Sequence, residues 1–256
     1  MSALSDRQDK KKEKIAKEFE KELTLIFAKY ISAYRTSISL ALPRPDSRDV
    51  IGDLISEAIR KHTIKAQEAF RNEAFSNFDP SSLDDLLEQS FSRELDQWLL
   101  SNEVNKTEII NNTNNYQAND TLGQATDILI QEGQQFSRRD LSILASSLLA
   151  RKFIVRSRII SETEVQSASE STKFIKTRLA SNSPIISSRY LIVKVWNSLL
   201  DGRERDTHRE ADAQERPVDL AFTVGGASLM YPGDPNGPFR EIVNCRCFET
   251  SITREL

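Results

Sequence analysis

Three side chains near the end of the sequence, His208, Cys245 and Cys247, have the chemistry to hold a soft metal ion or to activate a nucleophile. Imidazole and thiolate are zinc ligands, and two cysteines one residue apart can reach one ion from an extended segment. Asp206, Asp212 or a water could complete the shell, but structural zinc sites usually carry paired Cys-x-x-Cys knuckles, and this sequence has none. The same trio supports a second chemistry, with either thiol as nucleophile, His208 as base and Arg246 lowering a thiol pKa. Glu162 and Glu164 do not form an acid/base pair, since two residues apart on a helix they point in different directions. The preferred reading is plainer: a buried histidine and two small apolar cysteines, with no catalytic constellation and no cofactor, zinc remaining the minority alternative. These are the only cysteines, and their spacing is strained for a disulfide, so a reducing compartment is expected.

Other binding chemistries find little support. Arg203, Arg205, Arg209 and Arg216 surround His208 but alternate with Glu204, Asp206, Glu210, Asp212 and Glu215, which suits ion pairs that pin a loop better than a phosphate-binding patch. The net charge of -3 and a pI near 5.6 provide no global field for nucleic acid. Gly225-Gly226 lacks the repeated glycines and the strand-to-helix setting of a nucleotide cradle. Leu23 to Leu42 is apolar but interrupted by Lys29 and Arg35 and preceded by a charged leader, so it reads as an amphipathic helix rather than a signal or membrane segment.

The elements that must position these residues are helical first and loop-rich later. Ile15, Phe19, Leu23, Ile26, Phe27, Tyr30, Ile31 and Tyr34 recur at steps of three and four, which predicts a long first helix; the Lys/Glu positions from Lys10 to Glu22 form its solvated face. After Pro43 and Pro45, Ser47 caps a second helix with the stripe Ile51, Leu54, Ile55, Ala58 and Ile59. A third starts at Asp79-Pro80 and continues through Leu83, Leu86, Leu87, Phe91, Leu95 and Trp98. The asparagine- and threonine-rich stretch from Asn102 to Asp120 predicts a weak helix, connector or hinge. Gly133 ends the next helix, and Ser137 with Asp140 forms a capping-box pattern ahead of another that runs past Arg158, with Pro184 closing the helical part. Tyr190 to Trp196 predicts a mostly buried strand, and beyond it turn formers separate brief apolar pieces such as Phe222 to Val224 and Leu229 to Tyr231. The expected class is α+β: a mainly helical region, residues 1–120, then a smaller loop-rich module with helices and short strands, residues 121–256.

The order of the motifs is the most distinctive feature. Lys194-Val-Trp196, Asp201-Gly-Arg-Glu-Arg-Asp-Thr-His208, Phe222-Thr-Val-Gly-Gly226, Tyr231-Pro232-Gly233-Asp234-Pro235 and Ile242-Val-Asn244-Cys245-Arg246-Cys247 closely resemble the C-terminal module of phage Mu F-like minor head proteins, the phage head morphogenesis family. Arg158-Ile-Ile-Ser-Glu162-Thr163-Glu164 is similar to the Arg-x-x-x-x-Thr-Glu helix of that family, and Glu132 to Leu149 to the helix before it. The resemblance covers about residues 105 to 247. Two departures stand out: Asp212-Ala213-Gln214 where the family has a glycine-glutamine pair, and Ser161 where alanine is commoner. The resemblance implies a minor capsid protein made in the host cytoplasm and located in the virion interior. It would act in head morphogenesis in association with the portal protein, the inner major capsid surface or both, and serve DNA packaging or ejection with contact to packaged DNA and no membrane. Some relatives carry a toxin or enzyme domain after the Cys-Arg-Cys motif; only Phe248 to Leu256 follow here, so the structural, non-enzymatic version is expected. The competing reading is a metal-dependent or cysteine hydrolase-like enzyme centred on His208, Cys245 and Cys247.

Overall fold

A computed structural model describes residues 3–71, 85–133 and 135–256. Four long helices come first: α1 (Ala3–Leu40), α2 (Ser47–Phe70), α3 (Asp85–Gln131) and α4 (Arg138–Ser181). Short elements follow: α5 (Pro184–Ser187), β1 (Tyr190–Asn197), α6 (Asp206–Glu210), β2 (Glu215–Pro217), β3 (Phe222–Val224), β4 (Ala227–Leu229), α7 (Phe239–Ile242) and β5 (Phe248–Glu255). The class is α+β, as the sequence predicts. The expected start of the third helix at Asp79-Pro80 lies outside the described residues.

The chain forms two compact units, each assembled from separate segments: one from Lys17–Lys61 and Ser101–Ser161, the other from Met1–Ala16, His62–Leu100 and Glu162–Leu256. The boundary expected between residues 120 and 121 falls inside α3.

In the first of these units the apolar stripe of α1 is buried as its spacing predicts, with Phe19, Leu23, Phe27, Tyr30 and Tyr34 all nearly inaccessible. Phe27 packs on Phe153 with ring centroids 4.7 Å apart, and the Tyr34 hydroxyl donates to the Ala118 carbonyl at 2.7 Å. Of the readings open for the asparagine-rich stretch, the helical one holds: it is the middle of α3. Its asparagines find partners on α2 instead of competing with their own backbone. Asn111 accepts from the Ser47 hydroxyl at 2.8 Å, Asn114 donates to that hydroxyl at 3.0 Å, and Asn115 accepts from the Ser47 backbone N–H at 2.7 Å. An orphan donor at the start of α2 is thereby satisfied by another helix. The cap proper is Asp46, whose carboxylate accepts from the Arg48 N–H at 2.8 Å, so Ser47 is the first helical residue and not the cap. At the start of α4 the capping box forms as expected: Ser137 N–H donates to Asp140 at 2.9 Å and Asp140 N–H to the Ser137 hydroxyl at 3.2 Å. Gly133, with φ 64°, terminates the turn after α3.

In the other unit, β1 is the central strand of a three-stranded antiparallel sheet ordered β2-β1-β5, and β3 and β4 form a separate hairpin. Gly225 and Gly226, at φ 56° and 77°, make the two-residue turn of that hairpin, a structural use for the pair that is no phosphate cradle. β5 pairs with β1 along its whole length, from Tyr190 opposite Glu255 to Asn197 opposite Phe248. α4 ends at Ser181, and Pro184 opens the single turn of α5 rather than closing a helix. One cluster of the core joins Phe91 and Leu95 to Phe174, Ile175, Ile192 and Tyr231. A second gathers Trp196, Ala211, Phe222, Val224, Leu229 and Ile242 with Cys245 and Cys247.

Buried charge links the segments of this unit. Glu170, fully buried on α4, accepts from Lys12 and from Lys173, each at 2.7 Å, and its other oxygen accepts from the Glu249 backbone N–H at 2.9 Å. Lys12 is thus an exception to the solvated face expected for the start of α1, whereas Lys14, Lys17 and Glu18 are exposed as predicted. Lys194, also fully buried, donates to the Met230 carbonyl at 2.6 Å and lies 4.9 and 4.8 Å from the ring centroids of Phe174 and Phe222.

Candidate functional site

The trio singled out by its chemistry converges. His208 on α6 and the two cysteines between α7 and β5 are all buried, and their ligand atoms lie within 4.8 Å of one another. His208 Nδ1 is 3.2 Å from Cys247 Sγ and 3.8 Å from Cys245 Sγ. Neither Asp206 nor Asp212 completes the cluster. Asp206 is exposed and pairs with Arg209 at 3.1 Å, and Asp212 accepts from the Ser198 N–H at 2.7 Å. Among the described residues the cluster has three donors.

Local structure explains why each donor is held where it is. Asn244 takes φ 55°, the left-handed conformation that asparagine tolerates better than most residues, and turns the chain into Cys245. The Asn244 N–H donates to Thr163 Oγ1 at 3.1 Å, and Gln166 Nε2 donates to the Cys247 carbonyl at 2.5 Å, so α4 grips the Cys-Arg-Cys segment at two points. On the imidazole side, the Ser198 hydroxyl donates to the His208 carbonyl at 2.6 Å, and Trp196 presents its edge to the ring at 85° with centroids 5.7 Å apart. The Trp196 indole also meets Phe222 edge-on at 5.4 Å.

Behind the histidine stands Glu241, buried on α7 and unremarked in the sequence. Its Oε2 accepts from Thr207 at 2.9 Å and lies 3.3 Å from His208 Nε2, without the alignment of a hydrogen bond. Gly225 makes room for it: a Cβ there would come within 2.5 Å of Glu241 Oε1.

The hydrogen bond from the Cys245 thiol, together with His208 and Ser198, holds the Cys247 thiol down to about 5, against the opposing effect of burial. The same contact with Cys247, reinforced by burial, pushes the Cys245 thiol up. Arg246 is not among the larger causes: its guanidinium is committed to Asp201 through bonds of 2.7 and 2.8 Å, and its charge interaction with Cys247 is a lesser effect in the direction the sequence suggests. Arg203 also binds Asp201, and Arg209 binds Glu204, so these arginines pin the loop as their alternation with acids predicts. A cavity of about 170 Å³ reaches the trio past Leu199, Glu204 and Arg205. The arrangement can hold a soft cation or keep a thiolate beside an imidazole, the second use being limited by the 3% exposure of Cys247.

The remaining motif residues lie around this cluster as framework. Asp234 is buried and organises the Pro232-Gly233 turn, accepting from the Met230 and Asn236 N–H groups at 2.9 and 3.0 Å. Gly233, at φ 79°, passes α4 so closely that a Cβ would sit 3.2 Å from Gln166 Cγ. Glu162 is exposed and Glu164 buried, so they share no site. Ala213 has φ 58°, a left-handed conformation that strains alanine and leaves glycine unstrained. The adjacent Gln214 bonds both backbone groups of Thr223, at 2.8 and 3.1 Å, and so ties the loop to β3. No helix among the described residues is long and apolar enough to cross a membrane. No family model, curated protein or solved structure matches the chain.

Proposed function

We propose that the chain is a phage minor head protein of the Mu F-like kind. It acts in head morphogenesis inside the virion, in association with the portal or the inner capsid surface, and has no catalytic role of its own. The observation that supports this reading is the ordered motif series. Its members Trp196, Phe222, Cys245 and Cys247 belong to one small core, with His208 against Trp196, and Thr163 and Asn244 are bonded to each other. A series spread over this length and meeting in one place behaves as the framework of a specific module. The helical region is the part we assign to docking on the portal or capsid, and contact with packaged DNA belongs to the same reading.

An amber mutation in the encoding phage or prophage tests it. Purified wild-type heads should contain the chain, and the mutant should yield heads that are defective in assembly or in delivering DNA, with rescue from a plasmid copy. Absence of the chain from purified particles together with a normal titre of the mutant would refute it.

A further inference from the structure

We propose that His208, Cys245 and Cys247 bind one zinc ion through Nδ1 and the two sulfurs, with the fourth coordination position open to water from the adjoining cavity. This goes beyond the head-protein reading and does not depend on it.

The spacing is that of ligands around an ion. Zinc bonds of about 2.3 Å to sulfur and about 2.0 Å to nitrogen place a tetrahedral N and S about 3.5 Å apart. The observed separations, 3.2 and 3.8 Å, bracket that distance, so these two pairs need side-chain movements of only a few tenths of an ångström. The two sulfurs lie within 4.8 Å of each other, against about 3.8 Å around a tetrahedral ion, so their closing on it asks for a shift of about 1 Å at most. The donors come from two segments far apart in sequence, yet each is fixed by its backbone: Cys245 N–H bonds the Ile242 carbonyl at 3.2 Å, Gln166 holds the Cys247 carbonyl, and Ser198 holds that of His208. Such preorganisation reduces the entropy lost on binding.

The orientation of the imidazole fits the same role. Nδ1 faces the sulfurs while Nε2 faces the carboxylate of Glu241, which Thr207 fixes in turn. A metal-bound histidine commonly presents its second nitrogen to a carboxylate, which sets the tautomer and strengthens the bond to the ion. Two sulfurs and one imidazole select a borderline-soft ion such as zinc over magnesium or calcium. The cavity of about 170 Å³ supplies a path to the site, and its volume exceeds the roughly 30 Å³ share of a water in the liquid.

Cobalt(II) titration of the reduced full-length protein is the direct test. The expected result is an intense visible spectrum of tetrahedral cobalt with a sulfur-to-cobalt charge-transfer band. It should saturate near one equivalent and be displaced by zinc. Cys245→Ser, Cys247→Ser and His208→Ala should each weaken or remove the band. Glu241→Gln should keep it while lowering zinc affinity about 10- to 100-fold. Arg246→Ala, which alters a neighbour that donates no ligand, should bind as the wild type does. A folded wild-type protein that gives only the weak spectrum of hexahydrated cobalt overturns the proposal, and so does a tetrahedral spectrum unchanged by the two cysteine substitutions. These readouts need no phage, so a failure here is separate from a failure in head assembly.

Discussion

Replacing Glu170 by glutamine keeps the shape of the side chain and removes its charge. In the native unit this carboxylate has no exposed surface and accepts from Lys12, Lys173 and the Glu249 N–H, while the two lysine side chains are only 11% and 5% exposed. A glutamine leaves two ammonium groups to share one neutral acceptor and turns an amide N–H₂ towards another donor. Breaking a buried ion pair from one side costs about 3–5 kcal/mol. Lys12 keeps Gln166 Oε1 at 2.7 Å, which places the expected loss near the lower end, about 3 kcal/mol. With a urea m-value of roughly 3 kcal/mol/M, the midpoint falls by about 1 M. Both tryptophans, Trp98 and Trp196, belong to the unit that contains Glu170, so their fluorescence reports its unfolding. The triple replacement Glu170→Leu, Lys12→Met, Lys173→Met should recover much of the loss, because the two lysine charges leave together with the carboxylate that paired them. Burial pushes the Glu170 carboxyl up, but Lys12 and Lys173 together outweigh it and hold the group below its ordinary value. The contribution is therefore complete above the unfolded pKa of about 4.3 and disappears as pH falls through the lower folded value. A midpoint shift under about 0.3 M at pH 7 would refute the reasoning, since three bonds to a buried carboxylate would then carry almost no net energy.

Three further outcomes follow from the same structure. Ala213→Gly should raise the urea midpoint by an amount equivalent to about 0.5–1 kcal/mol, because φ 58° strains alanine and not glycine; a lower midpoint would contradict this. Asn115→Ala removes the acceptor of the Ser47 N–H and of the Tyr30 hydroxyl, and should destabilise by about 1–2 kcal/mol, seen as faster amide exchange in the first turn of α2; unchanged protection there would count against it. Burial pushes the Lys194 ammonium down to about 8, so the folded state binds fewer protons than the unfolded one between that value and about 10.4. Wild type should consequently gain stability relative to Lys194→Met as pH rises from 8 to 10, whereas a constant difference across that range would exclude the titration.

The features legible in the sequence were those whose signal is local. The capping box at Ser137, the turn at Gly133 and the buried strand around Lys194 each depend on a few adjacent residues. The asparagine-rich part of α3 read only as a weak helix or connector for the opposite reason: the buried positions of its stripe include Asn102, Lys106, Asn111 and Asn114, which bury polar groups and leave no apolar period. β5 escaped because its one fully buried residue is Glu249, so the alternation that marks a half-buried strand is missing. At the site, the chemistry of His208, Cys245 and Cys247 could be named from residue type. Glu241 could not, because an acidic residue on a one-turn helix has no pattern to distinguish it from a solvated one.

The segmented make-up of the units also sets an order in time. A chain leaving the ribosome has all residues of the Lys17–Lys61 and Ser101–Ser161 unit once Ser161 has emerged, while the other unit still waits for residues from Glu162 onward. Lys12 and Glu170 are separated by 158 positions, so the first turns of α1 lack their buried partner while all the residues between the two are made. The exposed Lys14, Lys17 and Glu18 on the same helix are charges that stay hydrated before and after that partner arrives, whereas Lys12 must give up its water to reach Glu170.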